Sequence, residues 1–196
     1  MNNKQILISR VENIPPIFLE DFESTLRSSG VEISSEARPN APFAALEDYI
    51  PTAIVILIAK PFFEAFLKKA GEDAYAEVKK AFGRLIALSK KVGVTIVASG
   101  PKKTDPNYAS SRVVSILCST KHGQKLKLLI PQEIPDADVP KLVDSIFEIL
   151  SDNFSDKTND TLTELLLHER KSPLHILHYN QSLRQWAVKI PTQHTI

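Results

Sequence analysis

Residues 53–59 decide the fold, and they run Ala53-Ile54-Val55-Ile56-Leu57-Ile58-Ala59. The run has no polar residue and is rich in β-branched side chains, so it lacks the alternation of a strand with one face in water. Pro51 and Pro61 flank it and limit its length. The pattern predicts a central strand that is covered on both faces, which is typical of an α/β fold.

Around this central strand, predicted strands alternate with predicted helices. In chain order they are a strand at 5–11, a helix between Pro15 and Gly30, a strand at 31–37, a short helix at 43–49, the strand at 53–59, a helix at 62–86 that Gly71 splits or bends, and a strand at 94–98. This alternation predicts an open sheet that is mainly parallel in the N-terminal half and has helices on both faces.

After residue 110 the pattern changes to hairpins. A hairpin is predicted at 112–130 because Lys121-His122-Gly123 separates two apolar runs, and a second hairpin is predicted at 174–190. Helices are predicted at 139–153 and 162–167 between them. We therefore expect one three-layer α/β domain over residues 1–196, with a core to residue 130 and a C-terminal elaboration.

Composition places the chain among globular proteins. Of its 196 residues, 43% are hydrophobic and 24% are charged, and the formal net charge is +1. No apolar run approaches the roughly 18 residues of a membrane span, and the first residues do not resemble a signal peptide. A single cysteine fits a reducing compartment, so we expect a cytoplasmic protein that does not bind a membrane.

The familiar catalytic and metal-binding motifs are missing from the sequence. With six glycines and no glycine-rich loop after the first strand, a Rossmann or P-loop site is not expected, and neither a metal nor a cofactor is predicted. His175 and His178 lie three apart on a predicted strand and would point to opposite faces. Cys118 lies in an apolar strand and is expected to be a small buried hydrophobe. Trp186 is either a packing anchor or an interface aromatic.

The ends of the predicted parallel strands carry charged residues. In open α/β sheets, ligands bind beyond the carboxyl ends of the strands. The residues that the sequence places there are Arg10, Arg38, Lys60, Glu64 and Lys102. They predict either a ligand-binding rim or an ordinary solvated edge.

Charge is strongly segregated along the chain. Residues 60–127 carry a net charge of +9 and residues 128–169 carry −8. Complementary patches steer association, so these segments predict an interaction face for a protein partner or a second copy. Its residues are Lys68, Lys69, Lys79, Lys80, Arg84, Asp144, Glu148 and Asp152. Alternatively, they are the polar outer faces of two amphipathic helices packed near each other.

Over residues 5–130 the order of elements resembles the core of TIR-like domains. The similarity lies in a strand that ends at Ser9, a loop of the pattern Arg38-Pro39-x-x-Pro42, and the strand at 53–59 that continues into Lys60-Pro61-Phe62-Phe63. TIR-like domains are flavodoxin-like signalling modules that assemble with other proteins. Some of them cleave NAD with a glutamate in the helix after the third strand.

The resemblance implies Glu72 or Glu77 as that glutamate, with Arg10, Arg38 and Lys60 holding the phosphates of NAD as substrate. The chain departs from the family in having Lys60 where a serine is usual and in lacking the Trp-Cys pair before the glutamate.

Two functions follow: a protein-interaction or regulatory module without catalysis, and an NAD-hydrolysing enzyme. Nucleic-acid binding is disfavoured because no aromatic residues are interleaved with the lysines.

Overall fold

Seven strands form one mixed sheet in the computed structural model, which describes residues 5–39, 52–63, 71–93, 110–155, 160–167, 172 and 174–189. The strands are β1 (Ile6–Val11), β2 (Ile33–Arg38), β3 (Ile54–Ile58), β4 (Ser110–Ser119), β5 (Lys125–Pro131), β6 (His175–Asn180) and β7 (Gln185–Val188). Their order across the sheet is β2-β1-β3-β4-β5-β6-β7.

Parallel and antiparallel pairs alternate across the sheet. The parallel pairs are β1–β2, β3–β4 and β5–β6. Between the members of these pairs the chain forms, in turn, α1 (Ile17–Ser28), α2 (Glu72–Ser89), and α3 (Val139–Phe154) followed by α4 (Thr161–Leu166). Antiparallel pairs join these units at β1–β3, β4–β5 and β6–β7. The predicted α/β class is confirmed, including the antiparallel hairpins toward the C-terminus.

The antiparallel β1–β3 pair determines which strand ends lie together. Because Ile6 is opposite Ile58 and Arg10 is opposite Ile54, β3 runs against β1. We call the edge where β1, β2, β5 and β6 end the upper edge, and the edge where β3, β4 and β7 end the lower edge. A wholly parallel N-terminal half would instead have placed the ends of β1, β2 and β3 at one edge.

The main core lies between one face of the sheet and the helices. Ile8, Ile56, Ile116, Leu128 and Leu177 are neighbours in register across five strands, and all are buried in one cluster with the helices. An aromatic cluster joins the helices. Phe82 of α2 meets Phe22 of α1 at 5.0 Å and Phe147 of α3 at 5.1 Å between ring centroids, both edge to face.

The second face of the sheet is also buried over its central strands. Val55, Leu129 and Ile176 point to this face and are buried outside the main cluster. Burial of both faces explains why residues 53–59 carry no polar position. The described helices contact one another on the main-core side, so the second helical layer that was predicted is not among the described residues.

Two glycines lie where the sequence predicted a break in a helix and a hairpin turn. Gly71 has an extended backbone, and α2 begins directly after it. Gly123 has φ of +81° in the β4–β5 turn, a value that glycine adopts without strain. The predicted helix at 43–49 and the predicted strand at 94–98 lie outside the described residues.

Candidate functional site

The predicted strand-end rim is divided between the two edges of the sheet. Arg10 and Arg38 lie at the upper edge, whereas Lys60 follows β3 and lies at the lower edge. The prediction that these three side chains share one site is therefore wrong, because β3 is antiparallel to β1. Glu64 and Lys102 lie outside the described residues.

At the upper edge, both arginines hold the protein's own backbone. Arg10 donates from Nη1 to the carbonyl of Ile14 at 2.8 Å and thereby fixes the loop after β1. Arg38 donates from Nη2 to the carbonyl of Thr52, just before β3. Both arginines therefore stabilise the backbone connections that follow β1 and precede β3.

A polar cluster on the second face of the sheet contains Arg38, Thr52, Ser115 and Lys127. The hydroxyl groups of Thr52 and Ser115 share a buried hydrogen bond of 2.6 Å. Lys127 points to the same face, since it lies opposite Leu117, two residues beyond Ser115 along β4. We call this group the second-face cluster.

Lys127 is 1% exposed, which is rare for a lysine. Burial, together with the positive charge of Arg38, lowers the pKa of its ammonium group to about 8. A lysine with a lowered pKa can act as a base or nucleophile when a substrate reaches it. Its near-complete burial favours a structural role instead.

The two glutamates that the TIR-like resemblance implies lie on the solvent side of α2. Glu72 is the first residue of the helix and Glu77 is in its second turn, and both are exposed. A hydrogen bond from Lys80, together with the charge of that lysine, lowers the pKa of Glu77. Neither glutamate lines the cleft described below.

Much of the predicted charged face is paired within the molecule. Arg84 of α2 donates to Asp21 of α1 at 2.9 Å, and Lys79 of α2 forms an ion pair with Asp144 of α3. α2 carries as many acidic as basic residues, but two of its basic side chains face acidic residues of the helices on either side. These charges therefore serve contacts between neighbouring helices. This arrangement corresponds to the alternative of two polar faces packed near each other.

The other members of that face are distributed as follows. Lys80 pairs with Glu77 on its own helix at 2.7 Å, Glu148 is exposed on α3, and Asp152 is half-buried near its end. Lys68 and Lys69 lie outside the described residues.

A small cleft opens at the upper edge beside the parallel pair β5–β6. Its volume is about 70 Å³. It is lined by the connection after β5, the first turn of α3, the end of β6 and the β6–β7 turn, through Ile134, Asp138, Lys141, Tyr179, Gln181 and Arg184. This is the position beyond the carboxyl ends of parallel strands where α/β proteins place ligands. We call it the β6–β7 cleft.

The β6–β7 turn that forms one wall of this cleft is held in place by local contacts. The backbone N–H of Leu183 donates to the side chain of Asn180 at 3.1 Å. Arg184 has φ of +53°, a left-handed conformation that is uncommon outside glycine. Leu183 is 65% exposed, so the turn presents an apolar side chain to solvent next to the cleft.

Aromatic packing fixes the strands below the turn. The rings of Tyr179 and Trp186 lie 5.3 Å apart, and Trp186 donates from Nε1 to the hydroxyl of Ser145 on α3 at 3.2 Å. Trp186 is buried, which agrees with its prediction as a packing anchor. Sequence reasoning missed Tyr179 and Arg184 as site residues, although an aromatic and an arginine on either side of a predicted turn were a usable signal.

The cysteine and the two histidines of the described strands do not form a further site. Cys118 is buried as predicted, and burial raises the pKa of its thiol to about 12. His175 and His178 point to opposite faces, as their spacing predicts, and within the described ranges no group of three His, Cys, Asp or Glu side chains could hold a metal. No helix in the described part of the chain has the length and apolar character to cross a membrane.

Neither a protein-family model, nor a curated protein, nor a solved structure matches this chain.

Proposed function

We propose that the chain is a protein-interaction module without catalysis of its own, and that it docks its partner on the surface around the β6–β7 turn. The observation that carries this proposal is the exposed Leu183 beside the β6–β7 cleft, which Tyr179 and Arg184 line. We call Leu183 and the cleft residues together the docking surface.

The size of the cleft favours a protein partner over a small-molecule substrate. Pockets that hold cofactors or drug-sized ligands measure roughly 300–1,000 Å³. The β6–β7 cleft measures about 70 Å³, which suits the tip of one side chain. A dinucleotide such as NAD would be far too large for it.

The residue types on this surface are those that dominate protein interfaces. Tyrosine and arginine are enriched at interface hot spots, where an anchor from one partner enters a small pocket on the other. Leu183 supplies apolar area beside that pocket, and the hydrogen bond of its backbone to Asn180 keeps the turn ordered before binding. An ordered turn lowers the entropic cost of association.

The charged helices are less suited to this role. Of the three basic residues of α2 that were predicted to meet a partner, Arg84 and Lys79 already have acidic neighbours on α1 and α3. The third, Lys80, pairs with Glu77 on its own helix. A partner that competes for them would have to replace these contacts, so they contribute little net attraction.

Site-specific photo-crosslinking tests the proposal. In cells that naturally produce the protein, a photoreactive amino acid replaces Leu183 in the full chain. The matched control carries the same amino acid at Ile17. Ile17 is also a large exposed side chain, at 72%, but it follows β1, four strands away or about 19 Å. We expect a discrete protein adduct from position 183 and none of that size from position 17. Equal adducts from both positions, or none from either, would contradict the proposal.

An assay for nicotinamide release tests the absence of catalysis. Purified protein, at low and at high concentration, is incubated with NAD. We expect no release above that of a buffer control. Release that disappears in Glu72→Gln or Glu77→Gln would overturn the non-catalytic part of the proposal.

We also propose that the protein acts in the cytoplasm, because its single cysteine fits a reducing compartment.

A further inference from the structure

The β6–β7 cleft carries hydrogen-bond donors that a partner can reach, because Gln181 and Arg184 are exposed and Tyr179 is half-buried. Within the described part of the chain, no acceptor is hydrogen-bonded to the hydroxyl of Tyr179, the amide of Gln181 or the guanidinium of Arg184. Asp138, the one acidic residue of the lining, already accepts from Lys141 at 3.1 Å. The lining therefore offers donors from three side chains, while its carboxylate is engaged.

The net charge of the cleft lining also favours an anionic group. Lys141 and Arg184 are basic and Asp138 is acidic, so the cleft carries one excess positive charge. Arginine binds carboxylates with two parallel hydrogen bonds, a geometry that lysine cannot reproduce. A single excess charge is too little for nucleic acid, which binds by neutralising several phosphates.

We propose that the β6–β7 cleft binds the carboxylate of an aspartate or glutamate side chain in a partner segment, and that an apolar residue of that segment packs on Leu183. The inference rests on the proposed function and names the kind of partner: an acidic segment with adjacent apolar residues. The volume of about 70 Å³ admits one such side chain. The left-handed backbone at Arg184 sets the direction from which its side chain reaches the cleft.

Binding of two matched peptides to the purified chain tests this inference. One peptide carries the core Leu-Glu-Glu-Leu between Gly-Ser flanks, and the other carries Leu-Gln-Gln-Leu. We expect the glutamate peptide to bind at least tenfold more tightly at low salt, and we expect Arg184→Asn to remove the preference. Asparagine tolerates the left-handed conformation, so this variant should keep the fold. The control is Arg27→Asn, which removes an exposed arginine of α1.

Equal affinity for the two peptides, no binding of either, or an unchanged preference in Arg184→Asn would overturn the inference. A third arm adds inorganic phosphate or acetate as competitor. Displacement of the peptide by phosphate at concentrations where acetate has no effect would assign the cleft to phosphoryl groups and would also overturn it. If the glutamate peptide shows no preference while the adduct from position 183 forms, only the carboxylate inference is rejected. If neither result is obtained, the proposed docking surface is rejected as well.

Discussion

Lys121 in the β4–β5 turn donates from Nζ to Oδ2 of Asp160 at 2.8 Å, and the Asp160 side chain is fully buried. The same carboxylate accepts from the side chain of Asn153 at 2.8 Å and from the backbone N–H of Thr163 at 3.0 Å. Asp160 thus connects the end of α3, the start of α4 and a turn at the lower edge of the sheet.

Replacing Asp160 with asparagine should therefore be strongly destabilising. The substituted NH₂ group would face the donors that the carboxylate now satisfies, and a loss of about 2–4 kcal/mol in the free energy of unfolding is expected. Urea denaturation measures this loss. The control is Asp144→Asn, which removes one partner of an exposed ion pair and should cost less than about 1 kcal/mol. Similar losses in the two variants would contradict the connecting role of Asp160.

The acid sensitivity of the protein should depend on the same carboxylate. Burial alone would raise the pKa of Asp160, but hydrogen bonds from Lys121, Asn153 and Thr163 outweigh burial and lower it below its ordinary value of 3.8. The stabilisation is complete above that value and is lost as the pH falls below it, because the unfolded state then binds the proton more tightly. Between pH 4 and pH 2.5, stability should fall more steeply in the wild type than in Asp160→Asn; parallel curves would contradict this.

Lys127 should make stability rise with pH in the alkaline range. Its pKa is about 8 in the folded chain against an ordinary value of 10.5, so the unfolded state holds the proton more tightly and stability rises between these values. Lys127→Met lacks this rise. The free energy of unfolding of the wild type should therefore rise by about 3 kcal/mol relative to that of Lys127→Met from pH 8 to pH 10.5. Cys118 is present in both proteins, so its own titration cancels. A constant difference across this range would show that Lys127 titrates normally.

The ion pair between Arg84 and Asp21 should stabilise the fold only weakly. Both side chains are exposed, and a double-mutant cycle with alanine should give a coupling of about 0.2–1 kcal/mol that vanishes near 1 M salt. In the crosslinking experiment, Arg84→Ala should leave the adduct from position 183 unchanged. Loss of that adduct would indicate that the partner binds the charged helices instead of the docking surface.

Elements were predictable wherever a local pattern determined them. The apolar run at 53–59, the apolar stripe of α3 and the glycine of the β4–β5 turn each depend on neighbouring residues, and each is present with nearly the predicted bounds. The direction of β3 relative to β1 was not predictable, because residue patterns do not record which way a connection returns. For that reason, the prediction that Arg10, Arg38 and Lys60 lie at one edge of the sheet was wrong.

The candidate site was less predictable, because tertiary contacts assemble it. The alternation Lys125-Leu126-Lys127-Leu128 resembles a strand with one wet face, yet the face that carries Lys127 is covered. Likewise, the cleft joins residues of β6 and its turn to the connection after β5, which are about 45 residues apart in the sequence. The pairing of β5 with β6 brings them together.

The most direct test of the docking surface compares Leu183→Asp with Ile17→Asp in the full chain. Both remove a large exposed side chain, at 65% and 72%, and aspartate is favourable at Ile17 in the first turn of α1. The measurement is the amount of the chain that elutes in its cellular complex on size-exclusion chromatography. We predict at least a tenfold decrease for Leu183→Asp and no change for Ile17→Asp. An undiminished complex in Leu183→Asp, with the fold intact by circular dichroism, would contradict the central claim.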